Sequence, residues 1–301
     1  MIKIRKLKKL LIIIITGLIL CICGFVLLNY YKDYQRVAYS KEVSSLKNNV
    51  YDNSNKKSNN ESVPVLMYHS ICDDNDDNIM KVPKKQFDEQ MKYLKDNGYH
   101  TLSANEFYNF LVNGKSIPKK SVLITFDDGY QNQYDNAYPT LKKYNFNAVL
   151  FIITNYLDKG TLYLKSSELK EMSQNGIDIE CHTLNHAKLD KLSYEDQLKN
   201  LEESKNKLEG ITGKSVRAIA YPYGEFNVDT VKAEKKDGYL MAFTTSGKWA
   251  SNSKGLYAIN RIYIFPQYNM KNFIDRVTNS NYSLFSQPIK MIKGAYDSFV
   301  K

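Results

Sequence analysis

The sequence predicts an α/β fold, a distorted and incomplete (β/α) barrel of about seven parallel strands, preceded by one transmembrane helix. Three observations carry this prediction. Along residues 63–280 short apolar runs alternate with amphipathic ones; strand and helix in turn imply parallel strands wrapped by helices. The strand-like runs number seven, fewer than a complete barrel requires. An uncharged apolar run of 19 residues, 10–28, stands near the start, interrupted only by Thr16, Gly17, Cys21, Cys23 and Gly24.

Taken in chain order, the basic side chains Lys3, Arg5, Lys6, Lys8 and Lys9 precede that run. At about 1.5 Å per residue it nearly matches a hydrocarbon core about 30 Å thick. Lysines on its N-terminal side leave the N-terminus cytoplasmic and everything after Tyr30 outside. A cleaved signal peptide is the competing reading. The run exceeds the usual apolar length of such a peptide, no small-x-small site follows it, and neither Leu20 nor Ile22 before the two cysteines marks a lipoprotein site. Residues 1–30 are therefore expected to be an uncleaved single-pass anchor in the cell membrane, with the rest of the chain extracellular. Residues 31–62 turn to Lys, Asn, Ser and Asp. They bury too little apolar area to offset the entropy of ordering, as a flexible stalk would.

The folded domain is expected over 63–280. Its strand candidates are 65–69, 122–127, 148–153, 177–181, 218–221, 240–244 and 258–264, several rich in β-branched or aromatic residues. Helix candidates are 85–96, 104–112, 139–144, 167–174, 194–209, 229–236 and 270–278. Ser103 with Glu106 and Ser193 with Glu195 and Asp196 look like helix starts. Asn97-Gly98, Asn175-Gly176 and Asp237-Gly238 look like stops. In the tail, 281–301, Phe285, Ile289, Ile292, Tyr296 and Phe299 recur at helical spacing beside Lys290 and Lys293. Packing on the domain is expected there, with a membrane-surface helix as the alternative.

A chain of 301 residues, 43% hydrophobic, has enough apolar content for a real core and is not a disordered protein. The net charge of +10 is concentrated near the start: residues 63–301 hold 31 basic groups against 28 acidic ones. The domain is not a polycation, and no nucleic-acid partner is expected; a monomer is. Cys21 and Cys23 lie inside the apolar run, so only Cys72 and Cys181 could pair, and two separate thiols are the simpler expectation.

The four histidines are His69, His100, His182 and His186. His182 and His186 follow an apolar strand, and a pair four apart can converge on one metal, although that spacing alone is more often a solvated loop or helix face. Thr125-Phe126-Asp127-Asp128-Gly129 ends another strand. Residues just past strand ends collect in one cleft in barrels and wound sheets. Alternation gives adjacent carboxylates different contacts, so one can bind a metal while its neighbour takes a proton; Asp-Gly is equally a common turn. His69 closes a third strand at the same rim and is suited to giving a proton near neutrality. His100 lies between a helix stop and a capping serine and reads as structural. The acidic loop Asp73, Asp74, Asp76, Asp77 lacks the Gly and distant Glu of a calcium loop and reads as a solvated turn.

Thr125 to Gly129, His182-Thr183-Leu184-Asn185-His186 and Tyr221-Pro222-Tyr223-Gly224, in that order, resemble the first three motifs of the polysaccharide deacetylase family (NodB-homology, carbohydrate esterase family 4). The likeness runs from Val63 to about Val277. Pro64-Val65-Leu66-Met67-Tyr68-His69-Ser70, and Asp127-Asp128-Gly129-Tyr130 through Tyr138-Pro139, are closer to the branch that de-N-acetylates poly-β-1,6-N-acetylglucosamine of biofilms.

The resemblance implies a divalent metal, zinc or another transition ion, held by Asp128, His182 and His186. It implies Asp127 as general base, the backbone N–H of Tyr223 as an oxyanion donor and an N-acetylglucosamine polysaccharide as substrate. Two departures stand out. Many members carry an Arg where this chain has Ala220, so the group bracing Asp127 is open, with Arg261 a candidate. Many take their acid from a late histidine, and none follows His186 here; His69 is the remaining histidine at the rim, with a metal-bound water or Tyr223 as the weaker alternatives. Trp249 offers either a sugar-stacking face or ordinary packing. The sequence leaves the glycan open: peptidoglycan N-acetylglucosamine is the alternative substrate, and a non-catalytic glycan-binding module the alternative from another class.

Overall fold

The computed structural model describes residues 56–74 and 78–282. The anchor expected over 1–30, most of the stalk and nearly all of the C-terminal tail lie outside the described residues. Among the described residues no helix is long and apolar enough to cross a membrane.

The elements run β1 (Lys56–Lys57), β2 (Val65–Tyr68), β3 (Ser70–Ile71), β4 (Lys81–Val82), α1 (Lys84–Asp96), β5 (His100–Thr101), α2 (Ala104–Asn113), β6 (Ile117–Pro118) and β7 (Ser121–Phe126). A π-helical turn (Gln133–Ala137) leads into α3 (Tyr138–Tyr144), followed by β8 (Ala148–Ile152), α4 (Ser166–Gln174), β9 (Ile177–Cys181), α5 (Tyr194–Thr212) and β10 (Ala218–Ala220). The remainder is α6 (Val228–Asp237), β11 (Met241–Phe243), β12 (Ile262–Tyr263) and α7 (Met270–Thr278). The main row is β11-β10-β9-β8-β7-β2-β12, every neighbouring pair parallel, with the short β5 added to β7. This is the partial barrel of about seven parallel strands that the alternating pattern implied.

Period-two alternation sorts the strand residues into two cores. Val65, Leu123, Val149, Phe151, Ala218, Ala220, Met241 and Phe243 fill the inside; Leu66, Ile124, Leu150, Ile179 and Ile219 face the helices. α2 closes the bottom, where Phe107 and Phe110 join the inner cluster and the Ala104 N–H donates to Asp178 at the foot of β9 (2.7 Å). Each fully buried ring contributes about 1.5–3 kcal/mol. Ser103 caps α2 in a capping box with Glu106, and Ser193 caps α5, as their spacing suggested.

Two expectations are corrected. The stalk was expected to reach residue 62, but the described fold already includes Lys56 and Lys57: β1 pairs with β6, and buried Lys57 donates to the Ser62 carbonyl (2.7 Å) with its ammonium over the Trp249 ring. The lysine stem buries while its head finds a carbonyl and a ring face, a partnership composition cannot show. The strand expected over 258–264 is also shorter. Its first half bridges β11 at Ile259 and only its second half pairs with β2, so one segment links the two edges of the row. Cys72 and Cys181 are both buried and free, as two separate thiols.

The helix layer holds a pH-sensitive contact. The Tyr221 hydroxyl lies 2.9 Å from Glu234 Oε2 and 3.1 Å from the Tyr257 carbonyl. One O–H cannot serve two acceptors, so a protonated Glu234 donating to Tyr221 frees that hydroxyl to serve the Tyr257 carbonyl. Burial pushes the Glu234 carboxyl up to about 8. A folded-state value above the unfolded one near 4.5 means stability is full below about pH 4.5 and is lost as pH rises toward 8, by at most about 1.4 kcal/mol per unit. Glu234→Gln is expected to leave the melting temperature at pH 5 nearly unchanged and to raise it by several degrees at pH 8, read by thermal melts across that range.

Candidate active site

The inward phase of each strand continues one step past its carboxyl end. His69 follows Val65 and Met67, Asp127 follows Leu123 and Thr125, and His182 follows Asp178 and Glu180, so all three turn into the top of the barrel and are buried. Arg261 enters the same layer from the segment linking β11 to β12 and is 0% exposed. Its Nη1 and Nη2 donate to Asp127 Oδ1 and Oδ2 at 2.6 and 2.7 Å, while Nε holds the Thr244 carbonyl and Nη1 also reaches Thr125 Oγ1. This forked pair fills the place that Ala220 leaves empty. Burial pushes the Asp127 carboxyl up, but the Arg261 charge, with His182 and His69, outweighs it and holds the group below the ordinary carboxylate value.

Asp128 leaves the strand in a left-handed conformation (φ 75°), as do Thr183, His186 and Tyr223 in the other two motif loops. Such backbone is costly for non-glycine residues and marks sites that the surrounding fold over-determines. A Cβ at Gly224 would collide with the Thr245 hydroxyl. The turn aims Asp128 Oδ1 at His182 Nε2 (3.4 Å) and His186 Nε2 (3.6 Å). One ligand atom from each of the three residues lies within 4.8 Å of the others. Asp128 Oδ1 is buried with no hydrogen-bond partner among the described residues.

The second nitrogens are engaged: His182 Nδ1–H donates to the Ala220 carbonyl (2.7 Å), and His186 Nδ1 meets the Tyr223 hydroxyl (3.1 Å). The first bond frees His182 Nε2 to act as a ligand, and His186 Nε2 is equally free when its Nδ1–H donates to the tyrosine oxygen. A buried acceptor lacking a proton partner and facing two such nitrogens is a set that could hold a metal ion. Burial would raise the Asp128 carboxyl, but the imidazoles of His182, His69 and His186 pull it well below its usual range. Burial, then the His182 charge, lowers His186 to about 4. His69 Nε2 stands 3.9 Å from Asp127 Oδ2, and its imidazole is lowered, chiefly by burial and against the pull of Asp128 and Asp127.

The structure thus brings together Asp127, Asp128, His182, His186, His69, Arg261 and Tyr223. It does not bring Trp249. That indole donates to the Arg276 carbonyl (2.7 Å), lies under Lys57 and packs on the outer core, so the sugar-stacking reading is replaced by a structural one. His100 bonds Glu106 at the capping box (3.0 Å). Asp73 and Asp74 serve Lys84 and Lys81; Asp76 and Asp77 lie outside the described residues.

The chain's many tyrosines also offered sugar-stacking faces, and the structure gathers three of them into an aromatic wall that the sequence did not single out. The Tyr130 ring stacks on Tyr163 at 5.5 Å, and Tyr163 meets Tyr156 at 4.7 Å. Burial and then the Asp128 charge hold the Tyr130 phenol protonated well above its ordinary value. On the other side Tyr263 lies parallel to His69. Tyr130 was visible as the neighbour of Asp-Asp-Gly; the loop bringing Tyr156 and Tyr163 carries no local signal.

Residues 114–242 match the family model for polysaccharide deacetylases. A Bacillus subtilis (strain 168) homologue assigned to the polysaccharide deacetylases, YxkH, is 41% identical over 204 residues, 68% of this chain and 72% of its own. The poly-β-1,6-N-acetyl-D-glucosamine N-deacetylase of Staphylococcus epidermidis is 36% identical over 196 residues, 61% of this chain and 68% of its own. Among solved structures, the Streptococcus pyogenes deacetylase PplD, in complex with acetate, superposes with a TM-score of 0.69 at 34% identity, covering 72% of this chain and 98% of that one. With the three motifs at the mouth of one partial barrel and relatives of this extent, the chain belongs to the polysaccharide deacetylase family (NodB-homology, carbohydrate esterase family 4) and is a polysaccharide deacetylase.

Proposed function

We propose that this deacetylase removes N-acetyl groups from N-acetylglucosamine units of an extracellular polysaccharide, poly-β-1,6-N-acetylglucosamine foremost, and that Asp128, His182 and His186 hold its divalent metal, zinc foremost. The observation that carries this reading is the division of labour between adjacent carboxylates. Asp127 has both oxygens gripped by Arg261, while Asp128 offers a bare oxygen to two imidazole nitrogens. The polymer is favoured by the substrate named for the Staphylococcus epidermidis relative. Residues 10–28 would anchor the chain with this domain outside the cell.

When bound, the ion acidifies water and polarises the acetamide carbonyl. Asp127, kept ionised by Arg261, takes a proton from the water that attacks the acetyl carbon. The Tyr223 N–H donates to the developing oxyanion. His69, whose proton burial has loosened, gives it to the departing nitrogen. The C–N bond breaks, leaving acetate and a free amine on the sugar.

The test is acetate release by the full-length chain in detergent. Poly-β-1,6-N-acetylglucosamine is expected to be deacetylated, peptidoglycan much more slowly, and a chelator is expected to lower the rate by about 100-fold or more, with recovery on adding zinc. Release from peptidoglycan alone would overturn the polymer assignment, and full activity in chelator would overturn the metal.

A further inference from the structure

Between the motif loop and α3 lies the π-helical turn Gln133–Ala137, in which the Tyr138 N–H bonds the Gln133 carbonyl five residues back. Such turns are rare and gather at functional sites. Gln133 is 1% exposed. Its Nε2 donates to two carbonyls at once, His69 at 2.8 Å and Asp127 at 2.5 Å. The last backbone rung between these strand ends is the Asp127 N–H to the Tyr68 carbonyl, 3.0 Å. The amide adds a cross-link beyond it, just where the ladder stops. Neighbours on the same turn hold the loop after His69: Asn132 accepts from the Ile71 N–H (3.0 Å) and donates to Ser70 Oγ (2.6 Å), and Asn136 donates to the Ile71 carbonyl (2.7 Å). Gln133 Oε1 is meanwhile buried with no hydrogen-bond partner among the described residues. A residue present only to fill space would not carry that unsatisfied acceptor.

We infer that Gln133 is a positioning residue: its side-chain amide ties the backbones of His69 and Asp127 together and so sets the separation of the acid and the base. It touches neither substrate nor metal, and it acts through the two residues whose carbonyls it holds. This inference rests on the roles proposed above for His69 and Asp127.

The test is a double-mutant cycle in the full-length chain. Gln133→Met keeps the volume and removes both donors. Turnover is expected to fall about 10- to 100-fold, as small misplacements of reacting groups do, with KM within about twofold and zinc content by metal analysis unchanged. In a His69→Ala background the same substitution is expected to cost several-fold less than in the wild type, because one of the two positioned groups is gone. Gln133→Asn, which keeps the amide on a shorter arm, serves if the Met variant does not fold and is expected to show a smaller loss with the same coupling. Normal turnover in both Gln133 variants, or an equal loss in both backgrounds, would overturn the inference while a crippled His69→Ala enzyme left the acid assignment standing. Normal turnover in His69→Ala itself would overturn that assignment, and this inference with it.

Discussion

Asp127→Asn is expected to lower acetate release by about 10³-fold, within the range known for loss of a general base, while the content of the proposed metal stays at the wild-type level. The substitution changes no ligand: Asp128, His182 and His186 remain in place. What changes is proton affinity, because an amide cannot accept the proton of the attacking water. One end of the Arg261 fork also suffers. The Asn oxygen can still accept one guanidinium N–H, but its NH₂ must face the other donor, at positions now 2.6 and 2.7 Å apart across the pair. The buried guanidinium loses its counter-charge as well. A cost of about 3–5 kcal/mol is typical for breaking such a pair, so a melt must accompany the kinetics. Activity within tenfold of wild type in a folded, metal-loaded variant would end the role of Asp127 as base.

Arg261→Ala is expected to have the second largest effect, and it separates charge from geometry when read beside Arg261→Lys. Removing the guanidinium leaves Asp127 buried without compensation. Its carboxyl then rises, and the Thr244 carbonyl and Thr125 hydroxyl lose a donor. Stability should drop by about 3–5 kcal/mol, and turnover by about 100-fold or more. Lysine restores the positive charge but not the planar fork. It should recover part of the stability and little of the turnover, since one ammonium cannot hold both oxygens. Equal turnover in the Lys variant and the wild type would show that charge alone suffices.

The residues legible in the sequence were those whose position follows from strand phase. An apolar run ending in Asp-Asp-Gly or Cys-His tells which side chain continues inward, and the barrel then gathers those ends at one mouth. Arg261 was legible as a candidate, since Ala220 left a carboxylate without a partner and Arg261 stood on the last strand candidate, but its pairing was not. The supplier stands 41 positions later on a segment whose route between β11 and β2 no local pattern encodes. Trp249 takes the ordinary packing role that was one of its two readings, which no sequence neighbour could decide. Lys57 was misjudged because polar composition hides a lysine whose stem is buried. Gln133 was invisible for another reason: a π-turn has neither the strand nor the helix period, so its inward amide looks like one more polar residue in a polar stretch.

Phe107 and Phe110, closing the barrel from below, bear on how a long substrate is handled. With that floor sealed among the described residues, nothing can thread through the barrel axis from below. A sugar chain is then expected to lie across the opening like a rope over a bowl, so that internal units of a polymer should be deacetylated without a free end being presented.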